Sequence, residues 1–199
     1  MEQLIQLLLS VSPLSSPLID RLRKIIRLIE YKKGDIILAE GQVCNLIAFI
    51  ESGLIRSYYK IGEKEVSNWF MGKGDIFISV LSFHRRTASL DSHVAMMASR
   101  CWGIFHAELE ETYILFPEFE RHGRLLEAEY YCRAEERQIM LKRQTPDEKY
   151  KKLMVQYPDL IRHATNEQLA SFLDVGERTF NRMKQSYNGT PKKKTIVGS

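Results

Sequence analysis

From about residue 27 the sequence changes period, and this change restricts the chain more than any other feature. Short apolar runs alternate with turn signals: RLIEY, KKG, DIILAE, GQ, LIAFIE, SG, LIRSYYKI, GEK, EVSNWF, MGKGD. Runs this short and this evenly spaced predict an antiparallel sandwich or barrel, because parallel strands would need helices between them. Gly34, Gly41, Gly53, Gly62 and Gly74 fall between the runs, where glycine easily supplies a positive φ. After an irregular passage from Phe77 to Leu90, HVAMMAS and CWGIFH read as the closing strands.

On either side the period is helical. Leu4, Ile5, Leu8 and Leu9, then Leu18, Ile19, Leu22, Ile25 and Ile26, recur at helical intervals on either side of SPLSSP and predict helices that cover the β domain. From Ala107 the chain turns helical again. HAELEETYILF is a short helix, Pro117 suits the first turn of the next, and EFERHGRLLEAEYYCRAEERQIMLKR continues almost unbroken apart from Gly123. Along this long helix Leu125, Ala128, Cys132, Glu135 and Ile139 form one stripe, and Leu126, Tyr130 and Met140 another. A helix with two such stripes needs a partner: the β domain, a second copy of itself, or both. Thr145-Pro146-Asp147-Glu148 opens a further helix with a capping box, and Tyr157-Pro158 ends it.

Thr165 to Lys184, TNEQLASFLDVGERTFNRMK, forms two short helices around a tight turn. Thr165 and Gln168 make a capping box; Leu169, Ala170 and Leu173 give the first helix its apolar face; Asp174 and Gly176 interrupt it. The second helix turns Thr179, Phe180 and Met183 to one side and leaves Glu177, Arg178, Asn181 and Arg182 facing outward. This is a helix-turn-helix pattern, whose second helix fits the major groove of DNA. The charge distribution agrees with it. Residues 133–199 hold 14 Lys and Arg against 8 Asp and Glu, whereas residues 1–132 hold 15 against 17. A basic C-terminal third with this motif inside it has the footprint of phosphate-backbone binding.

Other classes fit less well. Cys44, Cys101 and Cys132 are odd in number and far apart, so they read as buried free thiols rather than a disulfide framework or zinc ribbon. His84, His93, His106, His122 and His163 form no HxH or HExxH cluster, which disfavours a metal-dependent enzyme of cupin type; no metal site is expected. The sequence has no stretch of eighteen apolar residues and no positively flanked leader, so the expected compartment is the cytoplasm, with no membrane partner. A small-molecule-binding module whose C-terminal helices only pack is the alternative to a DNA-binding protein.

The order of small helices, glycine-punctuated β domain, long helix and helix-turn-helix resembles the CRP/FNR family of transcription regulators over nearly the whole chain. YKKGDIILAEG followed by IAFIESGLIR is similar to the start of the family's cyclic-nucleotide-binding β roll, and EQLASFLDVGERTFNRMK to its DNA-reading segment. The resemblance implies an α+β chain. Residues 1–116 would be an antiparallel β roll of jelly-roll type with flanking helices, 117–144 a long dimerisation helix, and 145–199 a winged-helix-like helix-turn-helix domain with a basic tail. It further implies a homodimer paired through the long helix, bound to a palindromic double-stranded operator with two recognition helices about 34 Å apart, and a partner in RNA polymerase. The DNA-contacting residues would be Glu177, Arg178, Thr179, Asn181, Arg182 and Lys184, with Arg178 and Arg182 suited to guanine and Glu177 to cytosine. Lysines 192 to 194 would meet phosphates or form a solvated basic end. Asp174 stands where the family turn commonly has glycine, and an aspartate can adopt the left-handed conformation there.

The effector pocket departs from the family pattern. The family's nucleotide cassette has a glutamate after Phe-Gly, for the ribose, and later an arginine for the cyclic phosphate; here the first part reads Phe77-Ile78-Ser79. Two alignments of the next segment are open. In one, Arg86-Thr87-Ala88-Ser89 supplies the second half; in the other, SFHRRTASLDSHVAMMAS matches a divergent branch without the phosphate arginine, and needs no deletion. The candidate effector residues are Ser79, Ser82, Arg85, Arg86 and Thr87. The resemblance implies either a small-molecule or cyclic-nucleotide effector, with the usual cyclic AMP contacts incomplete, or a roll that has lost sensing. Three scattered cysteines also disfavour an iron–sulfur cluster.

Overall fold

The computed structural model describes residues 1–189, which divide into two compact units, one ending at Arg137 and the other beginning at Gln138. In the first unit, α1 (Glu2–Val11) and α2 (Ser16–Ile25) precede eight strands: β1 (Arg27–Tyr31), β2 (Ile36–Leu38), β3 (Leu46–Ser52), β4 (Leu54–Ile61), β5 (Lys64–Gly72), β6 (Ile76–Phe77), β7 (Ser92–Ala95) and β8 (Ser99–Phe105). They form two four-stranded antiparallel sheets, ordered β1-β8-β3-β6 and β2-β7-β4-β5. This is the expected β roll, and HVAMMAS and CWGIFH do supply its last strands.

Two apolar clusters hold the unit together. Ala48, Ile50, Ile55, Met71, Phe77 and Cys101 form one, drawn from both sheets. In the other, Leu4, Ile5, Leu8, Leu18, Leu22 and Ile25 pack with Phe49, Phe83, Ile104, Leu109 and Phe119, so the N-terminal helices cover the β domain as their apolar spacing predicts. The five inter-strand glycines all have positive φ. Gly53 has an additional reason to be glycine: a Cβ there would lie 2.4 Å from Ser99 Cβ, where β3 turns into β4.

The passage from Phe77 to Leu90 is less irregular than its sequence suggests. It contains α3 (Val80–Arg85), ended by Arg86 in the left-handed conformation at φ 54°. After α4 (His106–Leu115), Pro117 opens a 3-10 turn, Pro117–Phe119, and the long helix α5 begins one residue later, Glu120–Arg143. Gly123 lies inside α5, where a Cβ would meet the Tyr113 hydroxyl at 2.6 Å.

The described part of the second unit is helical: α6 (Pro146–Gln156), α7 (Pro158–His163), α8 (Asn166–Phe172) and α9 (Glu177–Gly189). Thr145 caps α6 by the expected box with Glu148. Pro158 does more than end α6, since it occupies the first turn of α7, where its missing N–H costs nothing. Tyr150, Leu153, Leu160, Leu169, Phe172, Leu173, Phe180 and Met183 make the core of this unit, with the Tyr150 and Phe180 rings edge to face at 5.4 Å. Lysines 192 to 194 lie outside the described residues.

Candidate functional site

Two regions concentrate polar chemistry, one in each unit. In the β roll the centre is Asp91, just before β7. Its Oδ2 accepts from Ser57 Oγ at 2.5 Å and from His93 Nε2 at 2.9 Å; its Oδ1 accepts from Ser79 Oγ at 2.6 Å and lies 2.8 Å from Ser89 Oγ. An ionised carboxylate can only accept, so His93 donates an N–H from Nε2. The register explains how distant residues meet. Ser57 on β4 is directly opposite His93 on β7, which brings Ser57 to a carboxylate 34 residues away. Ser79 arrives from the residue before α3, and its hydroxyl goes to Asp91 rather than capping that helix. Ser57, Ser79, Ser89 and His93 are all buried. Burial alone would raise the Asp91 pKa; the hydrogen bond and charge of His93, with the Ser57 and Ser79 hydroxyls, reverse this and hold it well below the usual aspartate range.

The other candidate effector residues do not join this cluster. Ser82 is buried but bonds locally, donating to the Thr87 carbonyl at 2.6 Å and accepting from Cys44 N–H at 2.8 Å. Arg86 uses one guanidinium nitrogen on the carbonyls of Cys44 and Phe83, at 2.7 and 3.1 Å, and the other on Asn45 Oδ1. Arg85 and Thr87 are exposed. A residue not anticipated is Arg56, only 2% exposed, which binds Ser67 Oγ at 2.9 Å and Glu65 at 2.6 Å and lies over the Tyr58 ring. Of the cysteines, Cys44 and Cys101 are buried, and burial pushes the Cys101 thiol up to about 12. Cys132 corrects the expectation of buried thiols, because it lies exposed on α5. Among the described residues, no group of three or more His, Cys, Asp or Glu side chains is placed to hold a metal ion.

The two stripes of α5 separate. Leu126 packs against the first unit's core, Tyr130 donates its hydroxyl to the Ile76 carbonyl, and Arg133 pairs with Asp75 at 3.0 Å. Ala128, Cys132, Glu135 and Ile139 are exposed, joined by Tyr131 at 68% exposure, and Leu125 is half-buried beside them. No helix among the described residues is long and apolar enough to cross a membrane.

In the second unit Thr165 Oγ1 accepts from Gln168 N–H at 3.2 Å, and Gln168 Oε1 accepts from Thr165 N–H at 3.0 Å, which starts α8. The helix ends at Leu173, Asp174 turns the chain at φ 52°, and Val175 N–H returns to the Ala170 carbonyl at 3.0 Å. Phe180 and Met183 bury one face of α9 and leave Glu177, Arg178 and Arg182 exposed on the other. Thr179, Asn181 and Lys184 are half-buried. Asn181 Oδ1 accepts from Asn166 at 2.8 Å, and Lys184 Nζ donates to Asn166 Oδ1 at 3.0 Å, so both fasten α9 to the start of α8.

Residues 28–113 match the family model of the cyclic nucleotide-binding domain. No curated protein sequence matches the chain. Solved structures similar to it include a transcriptional regulator of the CRP/FNR family from Eubacterium rectale, 15% identical, covering 88% of this chain and 84% of that one at a TM-score of 0.71. FixK2 from Bradyrhizobium japonicum is 16% identical over 82% of this chain and 85% of its own, at a TM-score of 0.69. The Thermus thermophilus catabolite activator protein is 17% identical over 88% and 84%, at a TM-score of 0.53.

Proposed function

From a chain that carries a cyclic nucleotide-binding domain and has the fold of the CRP/FNR regulators, we propose a dimeric, sequence-specific DNA-binding transcription regulator acting in the cytoplasm. The observation that carries this reading is the outer face of α9. It presents Glu177, Arg178 and Arg182 to solvent from a helix held by a capped, turn-locked partner. Arginine at these positions matches the bidentate acceptor pattern of guanine in the major groove, and glutamate matches the cytosine amino group. Asn181 and Lys184, both bonded to Asn166, set the angle of the recognition helix, on which Thr179 is half-buried.

The dimer reading rests on the outward stripe of α5. Leu125, Ala128, Cys132, Glu135 and Ile139 follow the three-four spacing of a paired helix, and all of them except the half-buried Leu125 are exposed, while Leu126 and Tyr130 face the roll. Two such protomers place two copies of α9 on successive major grooves, and contact with RNA polymerase belongs to the same reading. The β roll is the part in which an effector would act, with Ser79 the one candidate effector residue inside the buried polar cluster around Asp91.

Selection from fragmented genomic DNA at physiological salt tests the proposal. Enrichment of a palindromic site, with a steep negative log–log dependence of affinity on salt, is expected. Retention of all DNA affinity in a fragment of residues 1–144 would instead assign binding to the wrong unit.

A further inference from the structure

The buried cluster around Asp91 has the form of an anion cradle with its anion already in place. Two hydroxyl donors, Ser57 and Ser79, and one imidazole N–H converge on a point between β4, the start of α3 and β7, joined by the Ser89 hydroxyl, which is 2.8 Å from the carboxylate and 2.7 Å from the Asp91 carbonyl. Hydroxyl and imidazole donors in such a cluster are what a protein offers to a carboxylate or phosphate oxygen. Here both carboxylate oxygens already have two partners apiece, and the occupant comes from the chain itself, two residues from His93. A second anion would have to displace Asp91, leaving two negative charges together in a buried site or forcing the aspartate outward. The domain's buried arginine offers no relief, since Arg56 is held by Glu65 and Ser67; Arg86 is likewise held by backbone carbonyls and Asn45.

We propose that Asp91 is an internal ligand: its carboxylate fills the site where the roll would otherwise receive an effector's anionic group, so the regulator binds DNA without a cyclic nucleotide. This rests on reading the chain as a DNA-binding regulator for its last step, but the self-occupied cradle stands on the roll alone. The Asp91 side chain is 17% exposed, which leaves a route by which a small anion can reach the cradle once the carboxylate is removed.

The test is chemical rescue in the full-length chain. Asp91→Ala lowers the unfolding midpoint, and sodium formate or acetate restores it by roughly 2–4 °C in a saturable way, relative to sodium chloride at equal ionic strength. Wild type shows no such response. The absence of any carboxylate-specific gain in a folded Asp91→Ala protein overturns the proposal. Calorimetric titration of the wild type covers the case in which that variant does not fold. Cyclic AMP, cyclic GMP and inorganic phosphate give no saturable heat if the site is self-occupied, and saturable binding of any of them overturns it. DNA affinity of the wild type is measured alongside, with and without cyclic AMP. An unchanged, tight affinity supports effector-independent binding, and an increase on adding the nucleotide overturns it. No DNA binding under either condition removes the regulator reading and the effector-independence step with it, while the rescue result still decides whether the cradle is self-liganded.

Discussion

Lys149, only 5% exposed, donates through Nζ to the Leu173 carbonyl at 3.1 Å. Leu173 ends α8, so a buried cation sits at a helix C-terminus, where orphan carbonyls and the helix dipole both favour it. The next residue is Asp174, which makes the turn. Lys149 therefore pins the helix-turn-helix corner from α6. Lys149→Met keeps most of the packing and removes the donor. It is expected to destabilise the second unit by about 1–3 kcal/mol in urea unfolding, and, under the proposed function, to weaken DNA binding.

Arg178 and Arg182 are one helical turn apart on the exposed face of α9. If each makes a bidentate contact to guanine, Arg178→Ala and Arg182→Ala will each cost about 1–3 kcal/mol of specific affinity and relax sequence preference at one position. Lys184→Ala behaves differently, because Lys184 is tied to Asn166. Its expected effect is a smaller loss shared by all sequences. Band-shift titrations against the selected operator and single-base variants of it separate the two patterns.

How well each part could be read in the sequence depends on how local its determinants are. The capping boxes at Thr145–Glu148 and Thr165–Gln168, and the left-handed Asp174, depend on neighbours within a few residues, and the structure has all three. The Asp91 cluster depends on Ser57 meeting His93 across strands β4 and β7, a register that no local pattern reveals. Short α3 was hidden for a related reason. Ser79 precedes it like a cap but makes no cap bond, its hydroxyl being drawn to Asp91. Arg86 fitted a phosphate-binding pattern by letter, yet its left-handed backbone and its bonds to Cys44 and Phe83 make it the end of a helix.

Tyr130 joins α5 to the roll through the Ile76 carbonyl, and burial, the largest influence on it, raises its hydroxyl well above the ordinary tyrosine range. The group therefore stays protonated and donating at any physiological pH. Tyr130→Phe removes the bond and keeps the ring, so a loss of about 1 kcal/mol from the first unit is expected in thermal or denaturant unfolding.

Acid unfolding reports on Asp91 separately. Its folded pKa is depressed, so its contribution to stability is fully present above the ordinary aspartate value near 4 and is lost as pH falls below that value toward the folded one. Asp91→Asn removes this proton linkage. Stability measured as a function of pH should fall less steeply below about pH 4 in the variant than in wild type, while the two curves run parallel at neutral pH with the variant lower.

Asp174 at φ 52° holds a conformation that costs most L-residues about 1–2 kcal/mol and that aspartate tolerates better. The side chain is exposed, so a substitution there alters little besides the backbone preference and local charge. Asp174→Gly relieves the torsional cost but loosens the unfolded chain, and the two effects oppose each other. The expected net is within about 1 kcal/mol of wild type. Asp174→Ala has neither the freedom of glycine nor the local hydrogen bonding of aspartate, and should lose about 1 kcal/mol of stability in the second unit. Because the turn sets the angle between α8 and α9, the same alanine variant should also lower operator affinity without changing the salt slope, since no phosphate contact is removed. Equal stability of the alanine and glycine variants would show that the backbone at this position carries no strain.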